Sequence, residues 1–486
     1  MCMYNIAQLL IDQNQTRSNK VAYRDDQLVI TYGQLSVQVM QMAQWLTEHG
    51  VQPGDRVAIV AYDRIHTVIA FLATVWTGGI AVMINPRGRT QSLQYQISHV
   101  TPTVVLTEAE LVDQLKDISN CAVHNIDLAK YESWLMRGHD RAVVTQATDT
   151  AFMLWTSGTT GHSKAVMHSH VNAYTQCVSS GVKTLGITNQ DRVYATAKLF
   201  FAFGIISSLF DVMWTGAECL LDSGMAIPAR VRRNIEEYRP TVFFSVPVIY
   251  AQLSSRAIEI HARCVSAGDR LPQPVIDKWK ATTGQTIHNC LGTTECLTAF
   301  AFNHTGGTGI GSAIPGYQLR VVDDAGHKVP AGQVGRLEVQ APSRGLGYWN
   351  DPEWTEKTFG DWMATGDSGM QDQQGNYHHM GRSADTIKIA GQFVNPGEIE
   401  EVLQAHPAVE QAAVISKADD LGIEHIEAYV VPVPDVGCNV HELRQWLINR
   451  KERWACPRII HLVTELPRTD SGKIQRYRLR ESSLTH

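Results

Sequence analysis

Apolar residues along the first third of the chain recur with two alternating periods. Leu35, Val39, Met42, Ala43 and Leu46 stand at helical spacing; after the turn Pro53-Gly54-Asp55, the run Arg56-Val57-Ala58-Ile59-Val60 suits a buried strand. Val68, Phe71, Leu72 and Val75 mark a second helix, and 80–84 a second strand. This alternation predicts βαβ units. Short apolar runs at 104–106, 219–221 and 242–244, each bounded by turn residues, predict further parallel strands covered on both faces. The stretch 68–84 is broken by Thr77-Gly78-Gly79 and, at roughly 17 residues, falls short of the about 20 that a membrane span needs. It predicts a buried helix, a turn and a strand, with no membrane span.

From about Gly381 the pattern changes. A strand at 386–389, a helix starting at Pro396 (Ile399, Val402, Leu403), strands at 411–415 and 427–431, a helix near 440–449 and a charged tail predict a compact α+β module. Its boundary near Ala384 divides the chain into domains 1–383 and 384–486. There are no internal repeats.

Composition narrows the partners. A length of 486 residues leaves room for more than one domain. The net charge of −6, with Lys and Arg dispersed, gives no electrostatic reason to expect nucleic acid or an anionic membrane. Nine scattered cysteines without a Cys-x-x-Cys pair argue against a disulfide framework or a zinc site. The first residues lack the basic and apolar regions of a signal peptide. The expected location is cytoplasmic.

The sharpest chemical signal is Thr156-Ser157-Gly158-Thr159-Thr160-Gly161-His162-Ser163-Lys164, after the apolar segment 151–155. Two glycines let backbone amides turn toward an anion, hydroxyls add donors and the lysine supplies a point charge, a combination suited to a triphosphate. The Walker spacing fails, because the glycines are three apart and Lys164 three further on. The plain alternative is a Ser/Thr/Gly-rich surface loop.

This segment resembles the signature of the adenylate-forming (AMP-binding) superfamily, which includes acyl- and aryl-CoA ligases, adenylation domains of peptide synthetases, and luciferases; Ser163-Lys164-Ala165 stands where Pro-Lys-Gly is usual. Leu291-Gly292-Thr293-Thr294-Glu295 is similar to the family's Tyr-Gly-x-Thr-Glu, and Met363-Ala364-Thr365-Gly366-Asp367 to its Tyr-x-Thr-Gly-Asp. Gly381-Arg382 opens the hinge motif. Ile387 to Gly391 and Asn395 to Glu400 match the segment after the hinge, and Pro467-Arg468-Thr469-Asp470-Ser471-Gly472-Lys473 the closing one. Six motifs in the right order are far more specific than one.

The resemblance implies an α/β fold: a large N-terminal domain of two packed doubly wound subdomains plus a small β subdomain, then a small mobile α+β domain. It implies ATP, Mg2+ and coenzyme A as co-substrates and cofactor. Thr156, Ser157, Gly158, Thr159, Thr160, Gly161 and Lys164 would bind the phosphates, Ser266-Ala267-Gly268 would line the adenine, and Gly292 and Thr293 would also contact the nucleotide. Asp367 and Arg382 would hold the ribose. Glu295 and Thr294 would be catalytic, and Glu295, a hard oxygen ligand, would hold Mg2+ with Thr160. Lys473 would bind the carboxylate and α-phosphate as the carboxylate attacks phosphorus and pyrophosphate leaves. Lys388 and Gly391 would line the CoA channel after domain rotation. Ala384, followed by Asp385, stands at the hinge where Asp or Lys is usual.

Lys198 to Gly204 and Cys264 to Pro272 look most like benzoate-CoA ligases. Phe201, Ala202 and Phe203, with Gly292, would face the acid, the two rings stacking on a flat substrate; core packing is the alternative. Thr298 and Ala299 stand where a histidine and a larger aliphatic residue are common, which implies a roomier pocket for a substituted or extended aryl acid. The reaction expected is ATP-dependent activation of a carboxylic acid to an acyl-adenylate and transfer to CoA. Loading of a phosphopantetheine carrier protein, a non-catalytic nucleotide sensor and a homodimeric state stay open.

Overall fold

The computed structural model describes residues 4–126, 141–156, 163–383, 387–389, 392–394, 396–418, 424–434, 436–451, 455–468 and 474–481. The chain forms two compact units. The first comprises Met1–Thr156, Ser163–Gln318 and Val339–Met363; the second includes Leu319–Glu338 and Ala364–His486.

Two large sheets build the first unit. In the seven-stranded sheet, Thr150–Thr156, Ile80–Ile84, Arg56–Val60, Val104–Thr107 and Ala122–Asn125 run parallel in that order, and Lys164–Ser169 and Gly347–Tyr348 extend it antiparallel beyond Thr150–Thr156. The apolar runs read from sequence at 56–60, 80–84 and 104–106 are strands of this sheet. The helix Tyr32–Glu48 starts at a capping box, in which Thr31 Oγ1 accepts from Gln34 N–H and Gln34 Oε1 accepts from Thr31 N–H, satisfying two amides that no helical carbonyl can reach. It buries Leu35, Val39, Met42, Ala43 and Leu46. The helix Ile65–Trp76 is buried around its whole circumference, which is why its sequence is apolar on every face.

The nine-stranded sheet has a parallel centre: Ile287–Thr293, Arg263–Ser266, Val242–Ser245, Arg192–Ala195, Glu218–Leu220 and Val21–Arg24. Antiparallel strands close both ends, Thr298–Phe302 and Ser312–Ala313 at one and Val29–Thr31 at the other. The first hairpin of the chain therefore joins a sheet whose other strands lie more than 160 residues downstream. Behind this sheet two π-helical segments, Cys177–Thr184 and Ile206–Phe210, flank a fully buried Asp211.

The second unit holds a four-stranded sheet (Gln318–Val322, Val334–Gln340, Met363–Gln371, Tyr377–Arg382) and a three-stranded sheet (Val409–Ala418, Glu424–Pro432, Ile459–Leu462). Period-two alternation sorts the latter's side chains. Ala412, Val414, Ala428 and Val430 face the helices Pro396–Gln404 and Val440–Ile448, while Ala413, Ile415, Tyr429 and Val431 pack with Leu466 and Leu479. The charged tail expected after residue 449 is thus structured: Ile459–Leu462 pairs parallel with Glu424–Pro432, and Arg476–Glu481 is helical. The hidden signal is one apolar side chain, Leu479, among charged neighbours. No helix among the described residues is long and apolar enough to cross a membrane.

Candidate functional site

The strands Thr150–Thr156 and Lys164–Ser169 are the two arms of one antiparallel hairpin, with Thr156 and Lys164 directly paired. The glycine- and hydroxyl-rich residues 157–162 connect these arms; Ser157, Gly158, Thr159, Thr160 and Gly161 lie outside the described residues. Ladder bonds therefore fix the base of the segment, and Lys164 belongs to the strand. The Lys164 ammonium lies 3.4 Å from the centroid of the Trp354 ring and 5.3 Å from that of Tyr348. Partial burial pulls its pKa down, and Asp351 and Glu295 oppose that shift.

Ile287–Thr293 and Thr298–Phe302 form a second hairpin, which sets Gly292 opposite Ala299 and Thr293 opposite Thr298. A Cβ at Gly292 would collide with Thr298 O, so this close approach requires glycine. Between the strands, Thr294–Cys296 makes one 3-10 turn capped by Thr293, and it carries Glu295. Glu295 is partly exposed, and its Oε1 accepts a 2.8 Å hydrogen bond from Tyr348 Oη. A half-exposed carboxylate fixed at one oxygen fits the hard-oxygen donor that a magnesium ion takes. Thr298 is buried and Ala299 partly exposed.

Ser266 ends the strand Arg263–Ser266, and the backbone leaves the sheet through Ala267 and a left-handed Gly268 (φ 87°). The buried Ser266 hydroxyl has no hydrogen-bond partner among the described residues. Phe201 and Phe203 flank the start of the short helix Ala202–Ile205. Phe200 is core, whereas Phe201 and Phe203 are only partly buried. Phe201 meets Phe200 edge-on at 4.7 Å and Phe203 meets Phe244 edge-on at 5.9 Å. That arrangement suits a wall more than a core. Asp63 and Lys198 anchor the turn: Asp63 Oδ1 accepts from Leu199 N–H at 3.0 Å, and Lys198 Nζ donates to Asp222 O at 2.5 Å. Burial pushes the Asp63 carboxyl up to about 6, with Lys198 opposing.

In the second unit Asp367 and Arg382 are register partners on neighbouring strands. Asp367 is 2% exposed; its Oδ1 lies 3.1 Å from His379 Nε2 and 3.4 Å from Arg382 Nε. His379 and Tyr348 were not singled out from sequence. Alternation alone would set His379, three residues from Arg382, on the opposite face; the register shift between Ser368 and Gly369 brings it to Asp367, so nothing local marks either residue. Lys473, Ala384, Asp385 and Gly391 lie outside the described residues, and for Lys388 only the backbone is described. The flanks of the lysine segment are described: Arg468 bridges to Ile474, and Arg476 makes a bidentate ion pair with Glu400 at 2.8 and 2.9 Å.

Comparison with known proteins gives this geometry a family. Residues 10–349 match the family described as AMP-binding enzyme, and residues 398–473 the AMP-binding enzyme C-terminal domain. A benzoate–CoA ligase of Thauera aromatica is 32% identical, covering 99% of this chain and 96% of that protein. A 4-hydroxybenzoate–CoA/benzoate–CoA ligase of Rhodopseudomonas palustris is 32% identical over 99% of this chain and 94% of its own length. The crystal structure of an anthranilate CoA ligase in complex with anthranoyl-AMP superposes with a TM-score of 0.92 at 30% identity, covering 99% of this chain and 98% of that one. With more than half of its length matched by the family model and its two sheets carrying the expected motifs, the chain belongs to the AMP-binding enzyme family.

Proposed function

We propose that the protein activates an aryl carboxylic acid with ATP, releasing pyrophosphate, and transfers the acyl group from the adenylate to the thiol of coenzyme A. The observation that carries this reading is the pairing of Thr156 with Lys164 on either side of a glycine- and hydroxyl-rich segment, in a chain of this family. The aryl-CoA ligase relatives support the acid class and the acceptor.

In this reading Lys164 and the 157–161 amides bind phosphate oxygens, Asp367 and Arg382 orient the ribose, and Phe201 and Phe203 hold the ring. Glu295 and Thr160 would hold a magnesium ion, which would supply positive charge to the phosphates. The substrate carboxylate is already ionised at neutral pH, so no protein base is needed and catalysis is mostly positioning and charge stabilisation. Lys473 supplies the cation at the reacting carboxylate and α-phosphate. The division at 383/384, with Ala384 and Asp385 as hinge and Lys388 and Gly391 lining the thiol channel, belongs to the same proposal, as does a reducing cytoplasmic location.

Acid-dependent ATP–pyrophosphate exchange with a panel of benzoates, cinnamates and medium-chain acids tests the first step. Exchange is expected with aryl acids, best with one larger than benzoate, and Lys473→Ala is expected to lower it at least a hundredfold. Exchange with no acid at all would overturn the proposal. Thioester formation with CoA, compared with a phosphopantetheinyl carrier protein, tests the acceptor. Asp367→Asn is expected to weaken ATP binding about tenfold, as loss of a charge-assisted bond to the ribose requires, while acid affinity holds; equilibrium titration of each ligand checks this.

A further inference from the structure

The segment 343–349 is a strap between two parts of the proposed phosphate site. At one end Ser343 Oγ donates to Cys296 O at 2.5 Å, and Gly345 N–H donates to Glu295 O at 2.8 Å. Toward the other, Leu346 N–H donates to Met167 O and Trp349 N–H to Ala165 O, both at 2.8 Å. The strap thus ties the turn that carries Glu295 to the strand that begins at Lys164.

Tyr348 is the strap residue whose side chain touches both functional groups. It is 7% exposed, its hydroxyl donates to Glu295 Oε1 at 2.8 Å, and the Lys164 ammonium lies over its ring. Its backbone is locked as well. Tyr348 N–H donates to Thr355 Oγ1 at 2.9 Å, and Gly347 adopts φ 135° beside the Thr355 side chain, where a Cβ has no room. Burial, and then the Glu295 charge, push the hydroxyl pKa far up.

We infer that Tyr348 is a positioning residue for the metal–triphosphate: its hydroxyl pins the Glu295 carboxylate while its ring, beside the nearer Trp354 ring, helps seat the Lys164 ammonium, so one rigid side chain links the two. The inference rests on the reading of Glu295 as the metal-binding carboxylate. A glutamate on a one-turn helix has several rotamers open to it, and a fixed donor to one oxygen leaves the other aimed.

Binding, not turnover, provides the test. ATP is titrated calorimetrically into the full chain in Mg2+ and again in EDTA, and the ratio of the two affinities is compared among variants. Tyr348→Phe keeps the ring and the Lys164 contact but removes the hydroxyl. The ratio is expected to fall about tenfold, while affinity in EDTA stays within about twofold. Thr355→Val, which removes the acceptor of Tyr348 N–H along with its own bond to Asp351 O, is expected to lose a smaller part of the ratio, and it decides the matter if Tyr348→Phe does not fold. An unchanged ratio in these variants, beside a collapse in Glu295→Gln, overturns the role of Tyr348 and leaves the metal reading standing. An unchanged ratio in Glu295→Gln overturns both.

Discussion

Asp211→Asn is expected to stabilise the protein by roughly 2–4 kcal/mol above pH 8 and to change little below pH 4. Asp211 is fully buried between the π-helical segments; its Oδ1 accepts from Gln176 Nε2 at 2.9 Å, and its Oδ2 has no partner among the described residues. Burial raises its pKa from 3.8 to about 7, with only the Gln176 bond opposing. The folded state therefore holds a proton that the unfolded chain gives up, and stability falls as pH rises from about 4 through about 7. Cys177, its thiol pushed up by burial and then by Asp211, is the titratable neighbour. An asparagine amide avoids the charge and can pair with both ends of the Gln176 amide, whose Oε1 is also unpartnered.

Other buried groups bend the same curve without spoiling the comparison. Asp63 gives a slope of the same sign between 3.8 and about 6. His168 and His170 are held neutral by burial, their pKa values lowered from 6.5 to about 3 and about 4, so their contributions to stability rise with pH up to about 6.5. Both variant and parent carry these terms, and the difference between them reports Asp211 alone. Urea unfolding at pH 4, 6 and 8 measures it; a difference that does not grow with pH would refute the buried carboxylate.

Gly204→Ala is expected to cost about 3 kcal/mol and to weaken acid binding more than ATP binding. A Cβ there would collide with the Lys198 carbonyl and approach Ala197 O to 2.8 Å, and both obstacles are backbone. The turn from Lys198 to Phe203 must open to admit it, which displaces the two half-buried rings. Separate titrations of acid and ATP, with urea midpoints, check the result. A wild-type acid affinity would show that these rings do not face the substrate.

Parallel strands were legible because burial on both faces leaves a continuous apolar run, as in Ile80–Ile84 and Val104–Thr107. Ile459–Leu462 was not, since its burial alternates and its partner lies some thirty residues upstream. The segment proposed to bind phosphate stands out because glycines, hydroxyls and a lysine cluster locally. Tyr348 could not be seen: its meaning depends on Glu295, 53 positions away, and on Lys164, which sits on another strand. His379, Asp63 and the π-helical wrapping of Asp211 are likewise set by tertiary neighbours, which periodicity does not encode.

The strand Val21–Arg24 has consequences for biosynthesis, because its parallel partner Glu218–Leu220 emerges almost two hundred residues later. At about 5–20 residues per second, a ribosome makes the early hairpin wait roughly 10–40 s for a neighbour. During that interval its unpaired edge and apolar side chains are open to chaperones or to other nascent chains. Yield in a cell should thus respond to elongation rate and holdase supply.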